Sequence, residues 1–274
     1  MADPFLWIVD NELVIPGVRD ARTFLHVSDA HLCVSDEGSA PAEAAEAAGW
    51  DARWMKTKEE FARHFGEPFG EAQRVSTREA FDRILAWARE EGPEALLLSG
   101  DNLERMHPAG ERYLSRRLRE YGGPFLCVPG NHEAEACPGA WESGVRTLEY
   151  GDFRIVAVDD RLMTVSDEAL DRLAALAAEG LPMILVCHVP VAASGNREKM
   201  RRFGGYFAID GETADGNGRR FVRFLEEADA VRMVLCGHIH GNSDTEIVPG
   251  KRQITASQGM IGFVHRLTVR GGAA

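Results

Sequence analysis

Five short apolar runs in this chain each stop at a residue type that binds metal ions well. Phe24-Leu25-His26-Val27 leads into Ser28-Asp29-Ala30-His31, and Ala95-Leu96-Leu97-Leu98 into Ser99-Gly100-Asp101-Asn102. Phe125-Leu126-Cys127-Val128 leads into Pro129-Gly130-Asn131-His132-Glu133. Met183 to Cys187 stops at His188, and Met233-Val234-Leu235-Cys236 runs into Gly237-His238-Ile239-His240. Runs of this length, bounded by Gly or Pro, read as buried strands. In α/β sheets, ligands gather beyond the carboxyl ends of the strands. Five strand ends therefore deliver two Asp, one Asn and several His to one crevice, the outline of a catalytic metal site.

The rest of the composition narrows the class. A chain of 274 residues with 45% hydrophobic and 27% charged residues suits a globular protein, read here as one α/β domain over 1–274. The net charge of -12 lacks the basic footprint that non-specific nucleic-acid binding requires. The five Cys are odd in number and contain no C-x-x-C pair, which argues against a disulfide framework and for a reducing compartment. Cys127, Cys187 and Cys236 fall inside the expected strands, where a free Cys acts as a small hydrophobe. Met1-Ala2-Asp3-Pro4 has no basic n-region and no run reaches the length of a membrane span, so a cytoplasmic protein without a membrane segment is expected. The oligomeric state stays open.

Residues 5–9 and 12–15 read as a hairpin turning at Asp10-Asn11. Residues 36–75 break the α/β rhythm and read as an insertion near the first motif, Ala/Glu-rich over Ser39 to Ala48 and helical over Thr57 to Phe65. Thr77 to Glu91 carries a helical apolar stripe closed by Gly92-Pro93, and 109–121 forms another helix. Two antiparallel strands, 145–150 and 153–158, meet at Gly151-Asp152. Ser166 caps a helix that runs to about Ala178. Residues 193–216, with Gly195, Gly204, Gly205, Gly211 and Gly216, read as a long ordered loop of functional character. Gly218 to Glu227 is helical, and strands at 245–248, 252–256 and 262–269 finish the chain.

Carboxylates, imidazoles and an amide suit Mn, Fe or Zn about equally by ligand type, and two ions roughly 3.5–4 Å apart need a bridging carboxylate. Asp29-x-His31 can serve one ion, because alternate residues at a strand end can both turn inward. His238-x-His240 can divide between two ions. Asp101 is the natural bridge. Gly100, Gly130 and Gly237 each precede a proposed ligand, where a missing Cβ lets the next side chain face the crevice. Any one motif occurs by chance, and a single buried His is more often a core residue than a ligand. The order and strand context of all five together are what carry the reading.

As a set, Asp29-x-His31, Gly100-Asp101, Gly130-Asn131-His132-Glu133, His188 and Gly237-His238-x-His240 resembles the calcineurin-like metallophosphoesterases, over about Phe24 to His240. The resemblance implies a four-layer αββα sandwich with two mixed β-sheets flanked by helices. It implies that Asp29, His31, Asp101 and His240 hold one transition-metal ion and that Asp101, Asn131, His188 and His238 hold the other. A hydroxide bridging the ions would attack phosphorus, and His132 would protonate the leaving oxygen or stabilise its charge. The substrate implied is a small-molecule or nucleotide-type phosphate ester, monoester or diester. The rival reading is a scaffold of the same fold that binds a protein partner without turnover; it is disfavoured because His132 and every ligand position are present.

Further expectations concern the surroundings. Glu133 orients a ligand or His132. Asn102 either contacts phosphate or fills space, in a motif where family members often place another acidic residue close behind. His107 is a candidate substrate contact. Arg201 and Arg202, with Arg197 and Lys199, are candidates for phosphate recognition, and Tyr206 and Phe207 could pack the 193–216 loop or stack on a substrate group. His26 reads as core, and His64 and His265 as surface or supporting residues. The Asp159-Asp160 pair ends a strand, where Asp159 could support the site and turn capping is the simpler account. Cys33 is an unsuitable ligand beside so many oxygen and nitrogen donors.

Overall fold

A computed structural model describes residues 3–133, 144–203 and 207–272. The five expected strands are present: β2 (Arg22–Val27), β3 (Ala95–Ser99), β4 (Phe125–Val128), β7 (Met183–Val186) and β10 (Val231–Cys236). The first three lie parallel in one sheet. Here β1 (Trp7–Val14) pairs in parallel with β13 (Phe263–Arg270), which pairs antiparallel with β2. The second sheet has the order β11 (Ser243–Val248), β12 (Lys251–Thr255), β10, β7, β6 (Arg154–Val158) and β5 (Val145–Glu149). Its inner strands β12, β10, β7 and β6 are parallel and its two edge pairings antiparallel.

Each sheet has two buried faces, which is why its strands read as unbroken apolar runs. Between the sheets lie Phe24, Leu97, Leu126, Ile155, Ile184, Val186, Leu235 and Ile254. The outer face of the first sheet is covered by α2 (Thr77–Glu91) and α3 (Pro108–Tyr121), through Phe81, Ile84, Leu85, Leu114 and Leu118. The outer face of the second is covered by α4 (Asp167–Ala178) and α6 (Gly216–Glu227), through Leu170, Leu173, Phe221 and Leu225. This is the expected four-layer αββα sandwich. Local chemistry sets the helix ends: Ser76, Ser166 and Asp215 accept from backbone amides in the first turns of α2, α4 and α6, and Gly92 ends α2 in the left-handed region.

Three local expectations are corrected. The hairpin at Asp10-Asn11 is a single strand, β1, because those polar residues lie on an edge strand: Arg266 binds Asp10, and the Asn11 amide bonds the His265 ring. Within residues 36–75, Pro41–Phe65 form one continuous helix, α1. Gly49 does not break it, and Trp54, Lys58 and Ala62 bury its inner face. The 193–216 segment follows β8 (Val191–Ala192) and holds helix α5 (Arg197–Arg202) and strand β9 (Ile209–Asp210). His265, read as surface or supporting, is buried in the first sheet. His26 is buried and bonded to Ser99 Oγ at 2.7 Å, while His64 is exposed.

Candidate metal centre

The carboxyl ends of β2, β3, β4, β7 and β10 converge, and the backbone there is contorted. Among the described residues, six that are not glycine have positive φ: Asp29, His31, Asp101, Met163, His238 and His240. Five of these six are proposed ligands. L-residues adopt such conformations at a cost of order 1–3 kcal/mol, and they persist where the surroundings over-determine them. The glycines beside them act by close approach. A Cβ on Gly237 would run into Ser28 and Asp29, and one on Gly130 would run into Asp101. Each motif glycine thus admits a ligand from a different strand end.

The proposed ligands form two overlapping groups, and a third group joins His31 to Glu104 and His132. In the first, Asp29, His31, Asp101 and His240 bring one atom each within 4.8 Å of one another; in the second, Asp101, His188 and His238 do the same. Asp101 belongs to both. Asn131 Oδ1 joins the second group, 3.1 Å from His188 Nε2. His31 Nε2 lies 3.0 Å from His240 Nε2, and His188 Nε2 lies 3.2 Å from His238 Nδ1.

Hydrogen bonds behind the donors fix which nitrogen faces the crevice. His31 Nδ1 bonds Glu104 Oε2 at 2.8 Å, and His188 Nδ1 bonds the Ser99 carbonyl at 2.8 Å. With Nδ1 donating, Nε2 keeps its lone pair for an ion, the usual arrangement around metal-bound imidazole. Asp29 Oδ2 accepts from the His238 amide at 3.0 Å. Asp29 Oδ1 is buried and lies 3.3 Å from His240 Nε2 and 3.8 Å from His31 Nε2, with no well-formed hydrogen bond among the described residues.

These observations fit cations. Imidazole lone pairs and buried carboxylate oxygens aimed at common points are mutually unfavourable unless positive charge lies between them. The electrostatics of the bare protein show the same demand. Burial alone would push the Asp29 carboxyl up, but the imidazoles of His240 and His31 beside it hold it well below the usual range. Burial would lower His31, yet Asp29 and Glu104 raise it to about 10. Burial would likewise lower His188, yet Asp101 raises it to about 10. His238 is pushed down to about 3 by burial and by His188.

Supporting residues fall partly where the sequence suggested. Glu133 is buried and orients backbone instead of a side chain: Oε1 accepts from Leu103 N and Oε2 from Gly130 N, both at 2.7 Å. It staples the Asp101 loop to the Asn131 loop, and burial followed by repulsion from Asp101 raises its carboxyl to about 7. Asn102 is buried and donates to the Val128 carbonyl at 3.1 Å, tying the loop after β3 to β4. Asp160, not Asp159, supports the site: its carboxylate accepts from the amides of His188 (2.8 Å) and Val189 (2.9 Å), while Asp159 pairs with Arg161.

Two contributors were missed. Glu104 approaches His132 Nδ1 at 3.4 Å as well as His31. Trp54, from α1, donates its indole N–H to Glu104 Oε2 at 3.1 Å and lays its ring 4.7 Å from that of His31. Glu104, three residues after Asp101, was legible as an acidic residue close behind the motif. Nothing in sequence spacing points to Trp54.

His132 stands at the mouth, half-buried, with its amide donating to Asp101 Oδ1 at 2.9 Å and its Nε2 4.0 Å from Asp101 Oδ2. His107 is engaged by Glu46 at 3.0 Å, on α1. Arg201 pairs with Asp210 and Glu212 at 3.0 and 2.9 Å, Arg197 pairs with the same two carboxylates, and Arg202 is exposed at the end of α5. Burial pushes the Cys33 thiol up and keeps it protonated, and its Sγ faces the His31 carbonyl. Tyr206, Gly204, Gly205 and Cys137 lie outside the described residues. No helix among the described residues is long and apolar enough to cross a membrane.

The sequence model of the calcineurin-like phosphoesterase family matches residues 22–242. A probable cyclic nucleotide phosphodiesterase of Synechococcus sp. is 28% identical over 165 residues, which cover 56% of this chain and 60% of the relative. The match thus spans less than two thirds of that protein's length. Among solved structures, a dimetal phosphatase from Danio rerio matches with a TM-score of 0.55 at 13% identity, covering 87% of this chain and 88% of that one. A purple acid phosphatase from yellow lupin (Lupinus luteus) seeds matches with a TM-score of 0.47 at 13% identity, covering 90% of this chain and 45% of the other. The Danio rerio likeness is one of fold.

Proposed function

Because the chain belongs to the calcineurin-like phosphoesterases, we propose that it hydrolyses a small phosphate ester at a two-metal centre. Asp29, His31, Asp101 and His240 would hold one ion, and Asp101, Asn131, His188 and His238 the other. The single observation that carries the reading is that Asp101 belongs to both groups of converging donors. When bound, two cations neutralise charge on phosphoryl oxygens and acidify water in the site.

The chain's own residues supply the rest. Glu133 and Asp160 hold the ligand loops through their backbones, so the donors are set before an ion arrives. Glu104 accepts at His31 Nδ1 and faces His132 Nδ1, which leaves His132 Nε2 directed to the crevice. There it holds a proton for the oxygen of the departing alcohol, a role suited to imidazole near neutral pH. Of monoester and diester, the diester is favoured by the name of the Synechococcus relative. A cytoplasmic setting accords with the Cys usage.

The test is metal analysis of anaerobically purified protein, then a screen of phosphomonoesters and phosphodiesters with and without chelator. Two ions per chain and chelator-sensitive hydrolysis are expected. Full metal loading with no turnover on any ester in the screen would defeat the proposal.

A further inference from the structure

Two aromatic side chains from separate segments stand against the last two proposed ligands. The Phe61 ring, on α1, is 5.2 Å from the His240 ring at 68°, and the Phe207 ring is 5.6 Å from the His238 ring at 71°. His240 turns Nε2, and His238 turns Nδ1, toward the other donors. One imidazole therefore separates each phenyl ring from the metal-binding atoms.

Shielding the imidazoles accounts for only part of this. Trp54 is 8% exposed and already covers His240 and His31, with ring distances of 5.6 and 4.7 Å. Phe61 keeps 38% of its surface open, one of four large apolar residues so exposed among the described residues. The wall is also braced: Phe65, one turn beyond Phe61, packs on Phe203 at the end of α5, with rings 5.8 Å apart. α1 and the segment carrying Phe207 are thus joined beside the centre. The nearby guanidiniums of Arg197 and Arg201 are held by Asp210 and Glu212. Two of the three α5 guanidiniums are thus matched, with Arg202 exposed at the helix end, and the rim beside His240 and His238 offers aromatic rings.

We propose that Phe61 and Phe207 form a recognition site for a flat π-rich group, such as a nucleobase, on the ester held at the metal centre. The inference rests on the phosphoester reading above and specifies its substrate class. A phosphate on the metals would bring its remaining substituent to the rim, where the exposed Phe61 ring can stack on a planar face and Phe207 can border it.

The experiment measures binding of adenosine 5′-monophosphate and of ribose 5-phosphate, which lacks the base, to metal-loaded protein by equilibrium dialysis. The nucleotide should bind roughly 5- to 150-fold more tightly, the range for base–aromatic stacking. Phe61→Ala and Phe207→Ala should each cut that preference several-fold, leaving ribose 5-phosphate affinity and metal content unchanged, and Phe61→Tyr should restore it. Equal binding of the two ligands by the unaltered protein overturns the inference. So does equal weakening of both ligands together with metal loss in Phe61→Ala, which would assign the ring to shielding His240. Failure of either ligand to bind protein carrying two ions would instead bring down the phosphoester reading, and this inference with it.

Discussion

Replacing Gly237 with Ala tests whether the centre is assembled by close approach of its strand ends. The backbone at Gly237 is outside the left-handed region, so alanine meets no conformational penalty and the effect is steric. Its Cβ would lie 2.5 Å from both Asp29 Oδ2 and Ser28 Cβ, and closer still to Ser28 Oγ. Favourable contact between heavy atoms begins at roughly 3.5 Å, so a neighbour must move by about 1 Å. None is free to move alone: Asp29 Oδ2 holds the His238 amide, and the Gly237 amide donates to the His188 carbonyl at 2.9 Å. Overpacking of this kind costs about 1–3 kcal/mol, or a fall in Tm of roughly 2–12 °C for a chain of this size. The larger effect should be on turnover, because misplacement by about 1 Å at a reacting centre can cost around 10²-fold. Thermal melting, metal analysis and kcat on an active ester would be measured together. Adding Ser28→Gly removes two of the three close neighbours and should recover part of the stability but little of the activity, since Asp29 is still displaced. Unchanged Tm, metal content and kcat in Gly237→Ala would refute the reasoning.

Asp101→Ala should weaken both metal positions together; retention of one ion at full occupancy in metal analysis would count against a shared carboxylate. His132→Ala should keep both ions and lower kcat by about 10²–10⁴-fold, with a smaller loss for p-nitrophenyl than for alkyl esters; equal losses would remove it from proton transfer. Arg201→Ala should leave KM unchanged, because its guanidinium serves Asp210 and Glu212; a rise in KM confined to the best substrate would return it to substrate recognition. Burial pulls the Lys58 ammonium from 10.5 to about 8, so below pH 8 folding carries the full cost of the buried charge. Between pH 8 and 10.5 the unfolded chain binds more protons and stability rises with pH. Relative to Lys58→Met, the unaltered protein should gain stability across that window in pH-dependent denaturant melts, and parallel curves would contradict the assignment.

The strands and ligand loops were legible because apolar runs bounded by glycine are produced by burial on both faces, and the ligands follow them directly. Register was not legible. Asp159 and Asp160 end the same strand, and adjacent side chains face opposite ways, so which one meets His188 depends on pairings no local pattern records. The same limit made Asp10-Asn11 read as a turn, since their partners Arg266 and His265 lie at the far end of the chain. α1 was read in separate pieces because Gly49 interrupts its local helix signal. Burial of Trp54 and Ala62 outweighs the roughly 1 kcal/mol that an interior glycine costs. The hydrogen bond from Trp54 to Glu104 spans 50 positions and is a product of tertiary packing alone.

The strand order of the first sheet also governs when the centre can exist. β13 lies between β1 and β2, so the sheet carrying Asp29 and His31 stays split until residues 263–270 are inserted. The contacts that close the crevice, His31 with His240 and Asp29 with His238, each join residues 209 positions apart. Pairings so distant in sequence form slowly. A chain emerging during synthesis can build β2, β3 and β4 early, yet it has an incomplete set of donors until His240 is made and an open sheet until β13 arrives. A complete set of donors inside a closed sheet is thus a late product of folding, assembled only after both distant segments have joined.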